Sequence, residues 1–274
     1  MGIGTEKTAD KIPVTSSIPP KLPEAQEELF REVLALFEAK HLPYAVSGAF
    51  ALQEHTGICR FTKDLDIFLS AEASTAALGY LRESSFEWEV CDPIWLAKAR
   101  RGGYFVDLIT GMSNGVITVG PSWIERARPA TVVGVRSKVL AAEELLVSKL
   151  FVTRRERFDG ADIAHIVYSS HGKLEWTRVF ELAGEHWEIL LWALVLFRYV
   201  YPAHSNYVPQ AVWGDLLSRF AEALRCPDAG APFRGSLIDD KMFAIDVNEW
   251  GLDDLLIECR ARSPKINAPP DFGA

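Results

Sequence analysis

Hydrophobic positions in the first half of the chain change period several times. Leu29, Phe30, Val33, Leu34 and Phe37 recur at helical spacing from Pro23 onward, which predicts a helix with one buried face. Pro43 ends that pattern, 44–47 reads as a short strand, and Gly48 opens a second helix running to about His55. A strand is expected over 65–69, where Ile67 and Phe68 add β propensity, and a helix over 72–82. Further strands are expected over 86–90, 104–110, 116–119 and 131–135. Beyond residue 136 the period becomes helical throughout, over 139–151, 160–168, 176–182, 185–201 and 209–224, with Pro202 and Pro227 closing two of these runs and 226–234 reading as a loop. The pattern predicts an α+β protein in three parts. These are a flexible polar tail over 1–22, an α/β domain over 23–136 and a mainly helical domain over 137–274.

Composition narrows the function classes. The chain has 274 residues, 49% of them hydrophobic and 24% charged, with a formal net charge of −8. That balance fits a globular protein and disfavours a non-specific grip on long nucleic acid, which needs many phosphate-facing cations. The longest uncharged apolar run, 189–197, has nine residues between Glu188 and Arg198. A membrane span needs about 20, so a buried helix is expected there. The four cysteines show no close ligand pair and no disulfide pattern. With no apolar leader at the N-terminus, a cytoplasmic protein is expected.

The chemistry concentrates where acids interrupt apolar strands. In Arg60-Phe-Thr62-Lys63-Asp64-Leu65-Asp66-Ile67, the two aspartates stand two apart in a strand-like run. Period two places both carboxylates on one face, about 7 Å apart at Cα, with Leu65 and Ile67 turned to a core. Like charges on one face call for a cation between them, and Mg²⁺ suits hard oxygen ligands. Asp107, a lone acid in Val106-Asp107-Leu108-Ile109, joins them if the two strands pair. Three carboxylates around two Mg²⁺ ions would support in-line phosphoryl or nucleotidyl transfer. Upstream, Ser47-Gly48-Ala49 joins a strand to a helix, where backbone N–H groups can approach a phosphate.

Taken together, Val46-Ser47-Gly48-Ala49, Asp64-Leu65-Asp66-Ile67 and Val106-Asp107-Leu108 resemble the pattern of the polymerase-beta-like nucleotidyltransferases. Ala49 departs from it, standing where a second Gly or Ser is usual, and the stretch 50–63 is slightly long. Glu143-Glu144, Lys149, Arg154-Arg155, Arg157, Asp159 and Asp162 are similar to the abortive-infection branch, which includes toxins of toxin–antitoxin pairs. The resemblance covers about 40–170 and implies a mixed β-sheet flanked by helices. It also implies that Asp64, Asp66 and Asp107 bind metal and that Lys149 binds phosphate. Asp162 would position or activate the acceptor, and Ser47, Gly48, Arg60, Thr62 and Lys63 would line the nucleotide site. The implied substrates are an NTP and an acceptor hydroxyl, either an RNA 3′ end such as that of tRNA or a small hydroxylated molecule, with an antitoxin as a further partner. A catalytically inactive nucleotide-binding module is the third reading.

The residues alone leave alternatives open. Asp107 can pair with Arg101 or Lys98, and Lys149 can be a solvated helix lysine. Asp162 can serve the dipole of a helix capped by Asp159, and the Arg154, Arg155, Arg157 turn can be solvated or can receive an RNA end or a triphosphate. Gly111-Met112-Ser113-Asn114-Gly115 matches a hydrolase nucleophile elbow, but a strand rather than a helix is expected after it. His186 and His204 are expected to pack or cap, and Trp187, Trp192 and Trp213 to be core residues.

Overall fold

The computed structural model describes residues 17–154 and 156–269. Helix α1 (Glu24–Ala39) buries Leu29, Phe30, Val33, Leu34 and Phe37, the face its periodicity predicts. Strand β1 (Ala45–Val46) leads directly into α2 (Gly48–Thr56). β2 (Asp64–Phe68) is followed by α3 (Ala71–Glu83), whose first turn is capped by the Ser70 hydroxyl accepting from the Ala73 N–H. Next come β3 (Glu87–Asp92), β4 (Leu96–Arg101) and β5 (Tyr104–Ile109), then the short α4 (Pro121–Glu125) and the hairpin β6 (Arg128–Val132) and β7 (Val135–Val139). β4 has no counterpart among the predicted strands: Leu-Ala-Lys-Ala-Arg-Arg is poor in β-formers. It is held by pairing on both edges, with β3 and with β5.

Seven strands form one mixed sheet in the order β3-β4-β5-β2-β1-β7-β6. β2 pairs parallel with β5 and antiparallel with β1, while β1 pairs parallel with β7. Two predicted elements change here. The strand expected over 131–135 is the tip of a hairpin, where Val133 (φ +43°) and Gly134 (φ +83°) make the two-residue turn. β7 then takes Val139 into the sheet, so the sheet runs past residue 136 and the helix expected from 139 begins at residue 142. The stretch 116–119 forms only an isolated bridge, Gly111 to Thr118. Gly111 lies so close that a Cβ there would stand 2.6 Å from the Ile117 carbonyl oxygen. No helix follows Gly115 directly.

Helix α5 (Ala142–Lys149) is buried along its whole length, charged residues included. A small hairpin, β8 (Thr153–Arg154) and β9 (Arg157–Phe158), precedes α6 (Gly160–Ser169) and α7 (Trp176–Ala183). α8 (Trp187–Val200) and α9 (Gln210–Arg225) follow, flanked by 3₁₀ turns, and then the short α10 (Gly235–Ile238), α11 (Ala244–Asn248) and α12 (Leu255–Arg262). α8 is buried on one face only, through Leu190, Leu191, Ala193, Leu194 and Phe197; Trp192 and Val195 are exposed. Trp192 is therefore not a core residue, whereas Trp187 and Trp213 pack partly buried against the core. His186 packs edge-on against Phe151, and His204 lies among Tyr168 and Tyr207. No helix among the described residues is long and apolar enough to cross a membrane. The cysteines are free thiols.

Candidate active site

The parallel register of β2 and β5 sets Asp66 directly beside Asp107. Asp64, two residues earlier on β2, faces the same side, and Leu65 and Ile67 are fully buried on the other. One ligand oxygen from each of Asp64, Asp66 and Asp107 lies within 4.8 Å of the other two. This is a set of hard oxygen donors that fits a divalent cation. Loss of solvent around Asp66, and then the charges of Asp64 and Asp107, push its carboxyl up to about 7. Burial also raises the Asp107 carboxyl, against the opposing pull of Lys98, whose Nζ lies 2.6 Å from Asp107 Oδ1. Asp107 thus both joins the carboxylate cluster and takes the Lys98 partner that its sequence context allows.

The strand–helix turn presses against these acids. Ser47 is buried and donates its backbone N–H to the Asp66 carbonyl at 2.8 Å; its hydroxyl makes no cap bond to α2. Gly48 has φ +55°, and a Cβ on it would overlap the Asp66 carboxylate. Only glycine meets both demands, which accounts for its place at the start of α2. The Thr62 hydroxyl lies 2.9 Å from both the carbonyl oxygen and Oδ1 of Asp64, fixing the entry to β2. Lys63 is exposed, with no ion pair into the cluster among the described residues.

A second group of charges adjoins the first. Arg60 donates through Nη1 and Nη2 to the two oxygens of Asp162, at 3.0 and 2.9 Å. Lys149, only 4% exposed, places Nζ 2.7 Å from Asp162 and 2.8 Å from Asp159. Arg157 donates through Nε and Nη2 to the two oxygens of Asp159. Lys149 is therefore not a solvated helix lysine. Asp159 is not a side-chain cap either: it stands at the N-cap position of α6 but makes no cap bond. Burial alone would raise its carboxyl, yet the charges of Lys149 and Arg157 hold it below the usual range. The positive field of Arg157 and Lys149 reaches Asp66 and opposes its upward shift.

Of the arginine turn, Arg154 donates to the Ser113 hydroxyl at 2.8 Å and Arg157 to Asp159, while Arg155 lies outside the described residues. Sequence reasoning gave Asp159 a capping role and Lys98 only a pairing role. The local signal for Asp159 was its spacing, three residues before Asp162 and ten after Lys149. The arrangement as a whole is a carboxylate cluster that can hold a cation, flanked by a glycine turn and three cationic side chains suited to phosphate.

No curated protein matches the chain. Among solved structures, the chain is similar to the antibiotic-resistance factor ANT(2″)-Ia, at 17% identity over 66% of this chain and 96% of that one, with a TM-score of 0.41. It is also similar to an antigenic nucleotidyltransferase-like protein from Paracoccidioides brasiliensis, at 19% identity over 68% and 95%, with a TM-score of 0.44. A third is the lincosamide antibiotic adenylyltransferase LnuA, at 16% identity over 54% and 98%, with a TM-score of 0.37. The model of the family described as nucleotidyl transferase of unknown function (DUF2204) matches residues 26–183, more than half of the chain, and the chain belongs to that family of nucleotidyltransferases.

Proposed function

We propose that this protein is a Mg²⁺-dependent enzyme that moves a nucleoside monophosphate from an NTP to an acceptor hydroxyl. The observation that carries this reading is the β2–β5 pairing, which brings Asp64, Asp66 and Asp107 within 4.8 Å of one another beside the Gly48 turn. These three residues would hold the metal, two ions in the full reading. When bound, the metal neutralises the carboxylates and stabilises charge developing on the transferred phosphate. The chain's own groups do the rest. The Gly48 turn lets the triphosphate approach the backbone closely, with Ser47 and Thr62 fixing the flanking loops. Lys149, Arg60 and Arg157 bind its charge, and the helices from α5 onward close the cleft over the sheet.

For the acceptor we infer a small hydroxylated molecule ahead of an RNA 3′ end. The arginine turn favours RNA only where its cations are left for the acceptor, and Arg157, assigned here to the triphosphate, is not left for it, while Arg154 donates to Ser113. The net charge of −8 points the same way. The test is incubation of the protein and Mg²⁺ with each labelled NTP in turn, with total tRNA in one arm and a panel of hydroxylated small molecules, aminoglycosides and lincosamides included, in the other. Label on a small molecule and none on tRNA is expected. Label on tRNA that declines as salt is added would establish the RNA reading instead. No labelled acceptor in any arm would leave the nucleotide-binding module as the better account.

A further inference from the structure

The exposed large hydrophobic side chains gather in the last third of the chain: among the described residues only Ile18, Phe61 and Phe158 stand outside 192–257. The densest group lies on α8 and α9. On α8, Trp192, Val195 and Tyr199 recur at i, i+3 and i+7, opposite the buried Leu190, Leu194 and Phe197. α9 has 16 residues and buries only Val212 and Leu216, both in its first half. Its further apolar positions Leu217, Phe220 and Leu224 form a second stripe, which stays exposed. Arg198 of α8 lines one groove of about 560 Å³ with Trp213 and Leu217 of α9, so the two stripes open on the same side.

Size and charge indicate what covers this face. The six side chains of the two stripes are 39–82% exposed. At roughly 150–250 Å² for a large side chain, they and the half-exposed Phe158 leave on the order of 700 Å² uncovered. That exceeds the about 300–600 Å² of the largest patch on an ordinary monomer. It nears the about 800 Å² that each partner brings to a standard interface. α8 and α9 carry Glu188, Asp215 and Glu222 against Arg198, Arg219 and Arg225, and no lysine. The face is thus neutral in a chain of net charge −8. Two copies can meet there without the repulsion that the rest of the surface imposes, whereas a strongly basic or acidic partner finds no opposite field. Aromatic residues and arginine without lysine also match the composition of a homodimer interface. Residues 1–16 hold Ile3, Ile12 and Val14 as their only branched apolar side chains, too little apolar surface to cover the face.

We propose that the α8–α9 face is a dimer interface, on which a second copy of this chain seats itself about a two-fold axis. A two-fold contact is self-complementary, so one neutral apolar face serves both copies. The two α8–α9 pairs form a layer of four helices that buries Trp192, Tyr199, Phe220 and Leu224. The interface also reaches the hairpin that carries Arg157. Trp192 meets Phe158 edge-on, with ring centroids 5.8 Å apart, and Phe158 stands between Arg157 and Asp159. The second copy therefore comes within one residue of two charged groups of the candidate active site.

The test is sedimentation velocity of the full chain across protein concentrations from low to high micromolar. The variants are Tyr199→Glu and Leu224→Glu, with Ile257→Glu on α12 as the control. These side chains are 82%, 66% and 68% exposed, so each variant should fold, which far-ultraviolet circular dichroism checks. Wild type and Ile257→Glu should sediment at twice the chain mass. Tyr199→Glu and Leu224→Glu should each raise the dimer dissociation constant at least about tenfold, because a carboxylate at a closed apolar face loses its water. A wild type that stays monomeric at every concentration overturns the interface. So does a dimer that either Tyr199→Glu or Leu224→Glu leaves unchanged, or one that Ile257→Glu weakens as much, which moves the contact away from α8 and α9. Sedimentation is read without nucleotide or acceptor, so the outcome is separate from whether nucleotide transfer is found.

Discussion

The Asp66 carboxylate fills the space that a side chain on Gly48 would need: a Cβ on Gly48 would stand 1.8 Å from Oδ2 of Asp66. The glycine also sits at φ +55°, where an L side chain costs about 1–2 kcal/mol. Gly48→Ala must therefore displace the Asp66 carboxylate or the start of α2. The expected outcome is a stability loss of at least about 1–2 kcal/mol in denaturant titration, together with weakened Mg²⁺ binding by calorimetry. An alanine variant that binds Mg²⁺ like wild type would show that Asp66 is not a ligand in the geometry seen here.

The raised carboxyl of Asp66 makes stability depend on pH. Its folded value, about 7, lies above the unfolded value of about 3.9, so the folded state binds the proton more tightly. The resulting stabilisation is fully present below about pH 4 and is lost as pH rises through 7. In EDTA the melting temperature should fall between pH 5 and pH 8. Asp66→Asn should flatten that slope and hold or raise the melting temperature at pH 8, while nucleotide transfer falls by orders of magnitude. Parallel slopes in the two proteins would mean that Asp66 is not the group responsible. Added Mg²⁺ should raise the melting temperature of wild type at pH 8, since a ligand for the folded state stabilises it.

Lys149 lies 4% exposed between two buried acids, so its removal is also a stability event. Breaking a buried ion pair costs about 3–5 kcal/mol. Lys149→Ala should fall toward the low end of that range, because Arg60 and Arg157 still hold the two aspartates. Urea unfolding measures this, and a change near zero would place Lys149 outside the buried pair.

Val133 carries φ +43° at the first position of a two-residue hairpin turn, where a β-branched side chain is strained. Asparagine tolerates that conformation and forms the favoured turn with Gly134. Val133→Asn should stabilise the protein by about 1 kcal/mol, read as a higher urea midpoint with an unchanged slope. A lower midpoint would mean that Val133 contributes more through packing than it loses to strain.

Local pattern was enough to locate α1, the Gly48 turn, the Asp64–Asp66 strand, the Asp107 strand and the helices from residue 160 to 225. Each follows from periodicity or turn chemistry within a few residues, which a single segment carries by itself. Tertiary structure decided the rest. β4 is a strand because partners on both edges supply hydrogen bonds that its own side chains do not favour. Val139 lies in a strand because β1 offers a parallel edge to β7. α5 lacks a polar face because it is buried along its whole length, so its lysine and glutamates take their partners from other segments. The same holds for the charges at the site. Whether an aspartate caps a helix, holds a lysine or faces a metal depends on which cation lies beside it, and Arg60 reaches Asp162 across 102 residues. Spacing in sequence shows that charged groups are available, but only folding pairs them, because an ion pair is set by distance in space and a motif by distance along the chain.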